Sequence, residues 1–187
     1  MSESINCETE IERRFLVDPR DLPLGSQQGD KAAGYYTGVE YQIFQNYIPN
    51  NGTKLRLRYR RQQSKEGKSC SSIADYFLTA KKGAGLKRPG AEIKIDKTVY
   101  DALLPLGKAG RISKRRRIFH CGEHNFEIDT FEAELIGLFI VEVEFKTEEE
   151  SEAFVPPAWF GKEITNDARY SNENLAQYGR PKDDDIK

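Results

Sequence analysis

The sequence predicts an α+β fold that is mostly β: eight antiparallel strands closed into a barrel or strongly curved sheet, with helices packed outside. Three observations carry this. Apolar residues recur at period two along most of the chain. Asn-Gly and Gly-containing turns join the alternating runs as hairpins. Stretches with helical spacing are few and short, and many strands with few helices are the signature of a barrel.

Taken in order, Glu10 to Val17 reads as the first strand. Glu40 to Ile48 and Thr53 to Arg61 flank Pro49-Asn50-Asn51-Gly52, whose Asn-Gly supplies the positive torsions of a tight turn. Asp75 to Lys82, Ala91 to Ile95, Arg111 to His120, Asn125 to Phe131 and Leu138 to Phe145 follow as strands, with Gly122-Glu123 as a second hairpin turn. Lys97 to Leu106 spaces Val99, Leu103 and Leu106 as a helix does, Glu148 to Phe154 is a short acidic helix, and Ser171 to Tyr178 opens at a Ser or Asn cap. Asp18 to Gly34 and Gln62 to Ser72 have loop composition. One domain over residues 1–180 is expected, with 181–187 as a disordered tail.

The 187 residues carry 29 Lys and Arg against 30 Asp and Glu, a net charge of -1, and 32% of them are fully charged. That fraction is high for a globular domain, and no apolar run approaches the ~20 residues of a membrane span. Met1 to Asn6 lacks the pattern of a signal peptide. Cys7, Cys70 and Cys121 form no C-x-x-C pair, so neither a disulfide framework nor a zinc knuckle is expected, and a reducing cytoplasm fits. Near-neutrality conceals sorted charge. Lys54 to Arg61 holds five bases in eight residues, Lys108 to Arg117 holds six in ten, and Glu123 to Glu152 holds eleven carboxylates against Lys146.

Period two decides what each strand presents. In Leu55-Arg56-Leu57-Arg58-Tyr59-Arg60 the arginines share one face. In Glu10-Ile11-Glu12, Glu127-Ile128-Asp129 and Val141-Glu142-Val143-Glu144, carboxylates share a face about 6–7 Å apart. An ordinary solvated face mixes signs, whereas like charges at i and i+2 repel. Such ladders become tolerable with an ion of opposite sign between them: a hard divalent cation for the carboxylates and a chain of phosphates for the arginines. If the barrel turns these faces inward, the helices must cover the apolar ones.

Glu10-Ile11-Glu12-Arg13-Arg14-Phe15-Leu16-Val17 resembles the ExExK signature of the CYTH superfamily, the triphosphate tunnel metalloenzymes. Leu55-Arg56-Leu57-Arg58, Leu78-Thr79-Ala80-Lys81, Arg88 followed by Glu92, Glu127-Ile128-Asp129 and Val141-Glu142-Val143-Glu144 follow in the family's order. Glu163-Ile164-Thr165-Asn166-Asp167-Ala168-Arg169-Tyr170-Ser171-Asn172 resembles its closing segment. The resemblance implies an eight-stranded tunnel that binds a triphosphate with Mg2+ or Mn2+. It implies metal ligands at Glu10, Glu12, Asp129, Glu142 and Glu144, and phosphate contacts at Arg14, Arg56, Arg58, Lys81, Arg88, Arg115 and Arg117. Glu12, Arg14 and Glu144 are the residues expected to act in catalysis. The expected reaction is hydrolysis of tripolyphosphate, ATP or thiamine triphosphate, with tripolyphosphate preferred. Nucleotidyl cyclisation of the class IV adenylate cyclase kind, or non-catalytic binding of polyphosphate or RNA, are the alternatives. Neither membrane nor nucleic acid is an expected partner, and the oligomeric state stays open.

This chain departs from the family pattern in three places. Arg14 replaces the signature lysine, and arginine cannot serve as a base at ordinary pH. The family's Arg-x-Glu-x-Glu is stretched, so that Lys94 stands where a second glutamate would. Lys114-Arg115-Arg116-Arg117-Ile118 fits two registers, and Arg115 and Arg117 are placed inward so that Ile112 and Ile118 share the apolar side. His120 and His124 flank a turn without cysteines nearby, Gly83 to Arg88 lacks the ending of a P-loop, and Trp159 and Phe160 read as core anchors. Asp167, Arg169 and Tyr170 either close over the tunnel mouth or serve as cap and ion pair.

Overall fold

The computed structural model describes residues 6–22, 35–49, 54–63, 74–81 and 87–182. The expected turn at Asn50 to Gly52, most of the two long loops, the glycine-rich segment before Lys87 and the tail from 183 lie outside these. Eight strands dominate: β1 (Asn6–Leu16), β2 (Tyr35–Ile48), β3 (Lys54–Gln63), β4 (Asp75–Lys81), β5 (Lys87–Ile95), β6 (Arg111–Cys121), β7 (His124–Phe131) and β8 (Phe139–Phe145). All pairings are antiparallel, in the order β1-β5-β4-β3-β2-β6-β7-β8 and back to β1. The circuit closes through the two halves of β1: Asn6 to Ile11 pair with β5 and Ile11 to Leu16 with β8, so both flanks are paired at Ile11 alone.

Two expected boundaries moved for identifiable reasons. β5 begins at Lys87, four residues before the expected start, running through Pro89 and Gly90. Proline is tolerated there because the β4 pairing ends at Gly90, while β1 continues alongside to Lys87. The helix α1 spans Lys97–Leu103 and tightens into a 3-10 turn over Leu104–Leu106, where Pro105 can donate no helical hydrogen bond. Asp96 caps α1 by accepting from the Val99 amide at 3.0 Å. Thr147 and Ser171 cap α2 (Glu148–Ala153) and α3 (Asn172–Tyr178) in the same way. No helix among the described residues is long and apolar enough to cross a membrane.

Register assigns the faces. From Arg56↔Tyr47, Arg56↔Thr79, Thr79↔Glu92, Arg14↔Glu142, Glu142↔Glu127 and Asp129↔Arg116, the charged ladders all point into the barrel. The outer faces of β1, β6, β7 and β8 place Phe15, Phe119, Phe126, Ile128, Val141 and Val143 in one apolar cluster, against which Phe154, Trp159 and Phe160 pack. Trp159 and Phe160 are the core anchors the sequence predicts, with ring centroids 4.4 Å apart. A second cluster plugs one end of the barrel: Leu16, Tyr47, Ile112, Phe131 and Ile140 meet Ile164, Tyr170 and Leu175 of the closing segment and α3. That segment is lashed to β1, since the Ile164 amide donates to the Arg14 carbonyl at 2.8 Å and the Arg14 amide donates to Thr165 Oγ1 at 3.0 Å. Outside, the Arg13 guanidinium grips Glu163 through Nε at 3.0 Å and Nη2 at 2.7 Å.

Candidate functional site

The basic wall is β3. Arg56 Nη2 donates to Thr79 Oγ1 at 3.2 Å and to Glu92 Oε2 at 3.3 Å, Arg58 Nη2 donates to Glu92 Oε1, and Arg60 Nη2 donates to Asp75 Oδ2 at 3.1 Å. Glu92 is itself fixed by Thr79 Oγ1, which donates to it at 2.7 Å. These contacts hold one end of each guanidinium. The Nε of Arg56, Arg58 and Arg60 is buried with no hydrogen-bond partner among the described residues. A buried donor left unpaired costs about 1–3 kcal/mol, so this wall carries positive charge that its own neighbours do not fully satisfy. Burial, and then the neighbouring Arg56 charge, lower the Arg58 guanidinium to about 10.

Four steps round the ring from β3 stands β8, and with β1 and β7 it forms the acidic wall. Glu12 and Glu142 are buried there with Arg14 between them, its Nε 4.0 Å from Glu12 Oε1 and 3.1 Å from Glu142 Oε1. Arg14 Nη2 donates to the Tyr170 carbonyl at 3.0 Å, so this arginine ties the carboxylates to the plug. Glu144 is exposed to the lumen, yet desolvation by the surrounding wall pushes its carboxyl up to about 7, helped by Glu127, Glu10, Glu12 and Glu142. Negative charge is in surplus at that spot.

This surplus has a sign that can be measured. Below the ordinary value of 4.5 Glu144 is neutral folded or unfolded; between 4.5 and about 7 only the unfolded chain ionises, so stability falls as pH rises through that window and stays lost above it. Metal-free Glu144→Gln is therefore expected to melt at a higher temperature than wild type at pH 8 and to match it at pH 4. Melting curves in EDTA at both values check this, and an equal gain at both would contradict it.

At the base of the acidic wall lies a fully buried ion pair. Lys114 donates to Asp129 Oδ2, and both side chains have 0% exposure. Arg116 clamps the same carboxylate with Nε and Nη2, each at 2.7 Å, and reaches Glu127 and Glu142. Burial lowers the Lys114 ammonium below its usual range, and the Arg116 charge adds to this. Toward the plug, the Tyr47 hydroxyl donates to Gln45 Oε1 at 3.0 Å, and burial raises it to about 12. The walls enclose about 350 Å³. A groove of about 620 Å³ on the outside, between Phe44, Tyr59, Tyr100 and Leu104, contains none of the lumen's charged residues.

Glu10, Glu12, Glu142, Glu144, Arg14, Arg56 and Arg58 line this lumen as expected. Lys81 and Arg88 lie on the lumen side of β4 and β5 by register, and the structure describes their backbone only. Arg115 and Arg117 do not face inward. They project outside, where Arg115 Nε donates to Glu132 at 2.9 Å and Arg117 Nε donates to Glu40 at 2.7 Å. The inward residues are Lys114 and Arg116. Ile112 misled the sequence reading because it faces the lumen too, inside the apolar plug. Asp129 is likewise no open ligand, because both its oxygens are taken by Lys114 and Arg116.

Arg116, Lys114, Glu127, Glu92 and Arg60 are site residues that the reading did not select. A signal existed for the first two. The two-residue turn at Gly122-Glu123 pairs Cys121 with His124, and counting back sets Arg116 opposite Asp129. His120 bonds Asn125 at 2.9 Å and His124 packs on Phe145 and Phe154, outside the lumen. Tyr170 is buried in the plug, while Asp167 caps a 3-10 turn and pairs with Arg169. Among the described residues no three carboxylates, imidazoles or thiolates are gathered as a ready metal cluster, in keeping with Arg14 and Arg116 standing among the acids.

Comparison with known proteins places this geometry. No family model matches the chain. An inorganic triphosphatase of Nitrosomonas europaea is 38% identical over 170 residues, covering 90% of this chain and 97% of the relative. An inorganic triphosphatase of Acetivibrio thermocellus is 33% identical over 179 residues, covering 90% and 93%. The crystal structure of an inorganic triphosphatase superposes with a TM-score of 0.56 at 33% identity, covering 91% of this chain and 95% of that one. A Hippeastrum protein assigned as an adenylyl cyclase, with a dominant triphosphatase activity, shares the fold with a TM-score of 0.52 at 15% identity, covering 76% and 82%.

Proposed function

The chain belongs to the CYTH triphosphatase family, and from that premise we propose that it hydrolyses a triphosphate, inorganic tripolyphosphate foremost, inside a tunnel formed by the barrel lumen. The observation that carries this reading is the row of Arg56, Arg58 and Arg60 lining one side of the lumen, set across it from carboxylates in excess. Arg56 and Arg58 bind the phosphate oxygens, with Lys81 and Arg88 joining from the neighbouring strands. Glu10, Glu12, Glu142 and Glu144 fit one or two divalent cations, because they are hard oxygen donors whose mutual repulsion such an ion would relieve. When bound, Mg2+ or Mn2+ supplies charge neutralisation on the phosphate chain and a more acidic water.

The protein's own share is electrostatic and positional, as phosphoryl transfer requires. Arg14 holds Glu142 and the Tyr170 carbonyl in place and stays charged, so it acts as a positioning residue. The proton of the attacking water is left to a carboxylate, Glu12 or Glu144. Glu92 fixes Arg56 and Arg58 through one terminal nitrogen each, so that both guanidiniums are preset on the lumen wall for the substrate.

Phosphate release from tripolyphosphate, ATP and thiamine triphosphate, with Mg2+, with Mn2+ and after EDTA, tests the reading. Tripolyphosphate is expected to be hydrolysed fastest, and only with metal. Hydrolysis untouched by thorough chelation would remove the metal role, and no release from any of the three would remove the activity.

A further inference from the structure

We propose that the aromatic groove outside the barrel docks a second copy of this chain, about a two-fold axis that sets Arg111 of each copy against Glu134 of the other. The floor of the groove follows from alternation. With the arginines of β3 turned inward, Tyr59 turns outward, and register places Phe44 and Tyr76 on either side of it. Their rings, with Tyr100 of α1, form one continuous row at centroid spacings of 5.6, 5.7 and 4.9 Å. Phe44 is nevertheless 41% exposed, and Leu104, where α1 tightens, is 38% exposed. Val99 and Leu106 of the same helical segment are exposed too, as is Ile136 just after the wall formed by the 3-10 turn Ala133–Leu135. These are five of the seven exposed large apolar side chains among the described residues, so exposed apolar surface is gathered at this groove, as at an interaction site.

The walls decide which partner fits. Glu132 accepts from Ser113 Oγ at 2.8 Å, from Gln42 Nε2 at 2.9 Å and from Arg115 Nε at 2.9 Å, and its amide donates to the Ser113 carbonyl at 2.9 Å. Ala133 beside it is held at φ 53°, a left-handed conformation that a non-glycine residue keeps only where its surroundings impose it. This side of the groove is therefore fixed before anything binds, which reduces the ordering cost of association. Arg111 and Glu134 line the same groove, both exposed, and neither forms an ion pair with another described residue. An apolar centre flanked by one unpaired cation and one unpaired anion is complementary to itself, as an isologous interface requires. A two-fold axis gives two intermolecular ion pairs around facing aromatic rows. A uniformly acidic or uniformly basic partner would satisfy one of these charges and repel the other.

Sedimentation equilibrium of the full chain at about 10 μM, within the affinity range of standard interfaces, tests this through the mass in solution. Wild type is expected at twice the mass of one chain. Arg111→Glu and Glu134→Arg each set like charges against one another at both ends of the interface, and each should halve that mass. Mixed in equal amounts, the two single variants should form a dimer again, because each supplies the charge the other needs. Both substitutions in one chain should also restore the dimer, which separates loss of charge pairing from loss of fold. Val155→Glu, at an exposed apolar position outside the groove, should keep the wild-type mass. A monomeric wild type, single variants that stay dimeric, or a mixture that stays monomeric would each overturn the proposal. The groove shares no lining residue with the lumen, so these masses decide the dimer whichever phosphate the lumen accepts.

Discussion

Asp129→Ala should lower the free energy of unfolding by about 3–5 kcal/mol, the scale for removing one partner of a buried ion pair. The carboxylate accepts from the Lys114 ammonium and provides half of the grip on Arg116, and it has no exposure. Without it Lys114 is left charged in an apolar setting beside the Phe131 ring, 5.4 Å from its centroid, or must give up its proton. Arg116 keeps Glu127 and Glu142, which limits its part of the loss. Lys114→Met combined with Asp129→Leu should recover much of the stability, because both buried charges then leave together. Chemical denaturation of the single and double variants measures the difference, and a single-variant loss under 1 kcal/mol would show that the pair is not buried as described.

Arg58→Ala should lower kcat/KM for tripolyphosphate by about 10²–10³-fold, the effect of deleting one preorganised donor aimed at developing charge. Arg58 is the middle of the row, and its removal also takes one of two guanidinium contacts from Glu92, which keeps Arg56 and Thr79 but has one cation fewer to offset its charge near the substrate. Added metal cannot replace the lost donor. Glu12→Gln should instead weaken metal binding and recover partly at high Mn2+. Metal titrations of both variants distinguish these cases, and identical profiles would argue against separate anion and cation walls.

The strands and the two walls were legible because alternation is a local property, and the ladders at Glu10-Glu12, Arg56-Arg58 and Glu142-Glu144 each sit on a strand whose other face is apolar. The register of β6 was not read correctly from the same cue. Apolar residues mark the outer face only along the middle of this barrel; at the plug the lumen is apolar as well, so Ile112 pointed the argument the wrong way. A second correction has a separate cause. Asp129 was expected as a metal ligand from the Glu127-Ile128-Asp129 ladder and the family resemblance, whereas the pairing with Arg116 and Lys114 consumes it. Pro89-Gly90 hid the start of β5, because which side of a strand lacks a partner is a tertiary fact. Glu92 could be found as an acid but not as the brace of two arginines, since its partners lie 34 and 36 residues away.

The closure through β1 sets an order of assembly. Strands β2 to β5 and β6 to β8 are joined by hairpins or short connections, but Phe15 meets Val141 across 126 residues of chain. Contacts of such separation carry the largest loop-closure cost and form late in folding. The anion-gripping sheet around Arg56 and Arg58 can therefore condense while Glu10 and Glu12 are still apart from Glu142 and Glu144. Docking of the first strand onto the last is the step that brings these four carboxylates together, so their repulsion opposes the final stage of folding and not its nucleus. A divalent cation would act there as a folding ligand, speeding or sealing that last step before it takes any part in chemistry.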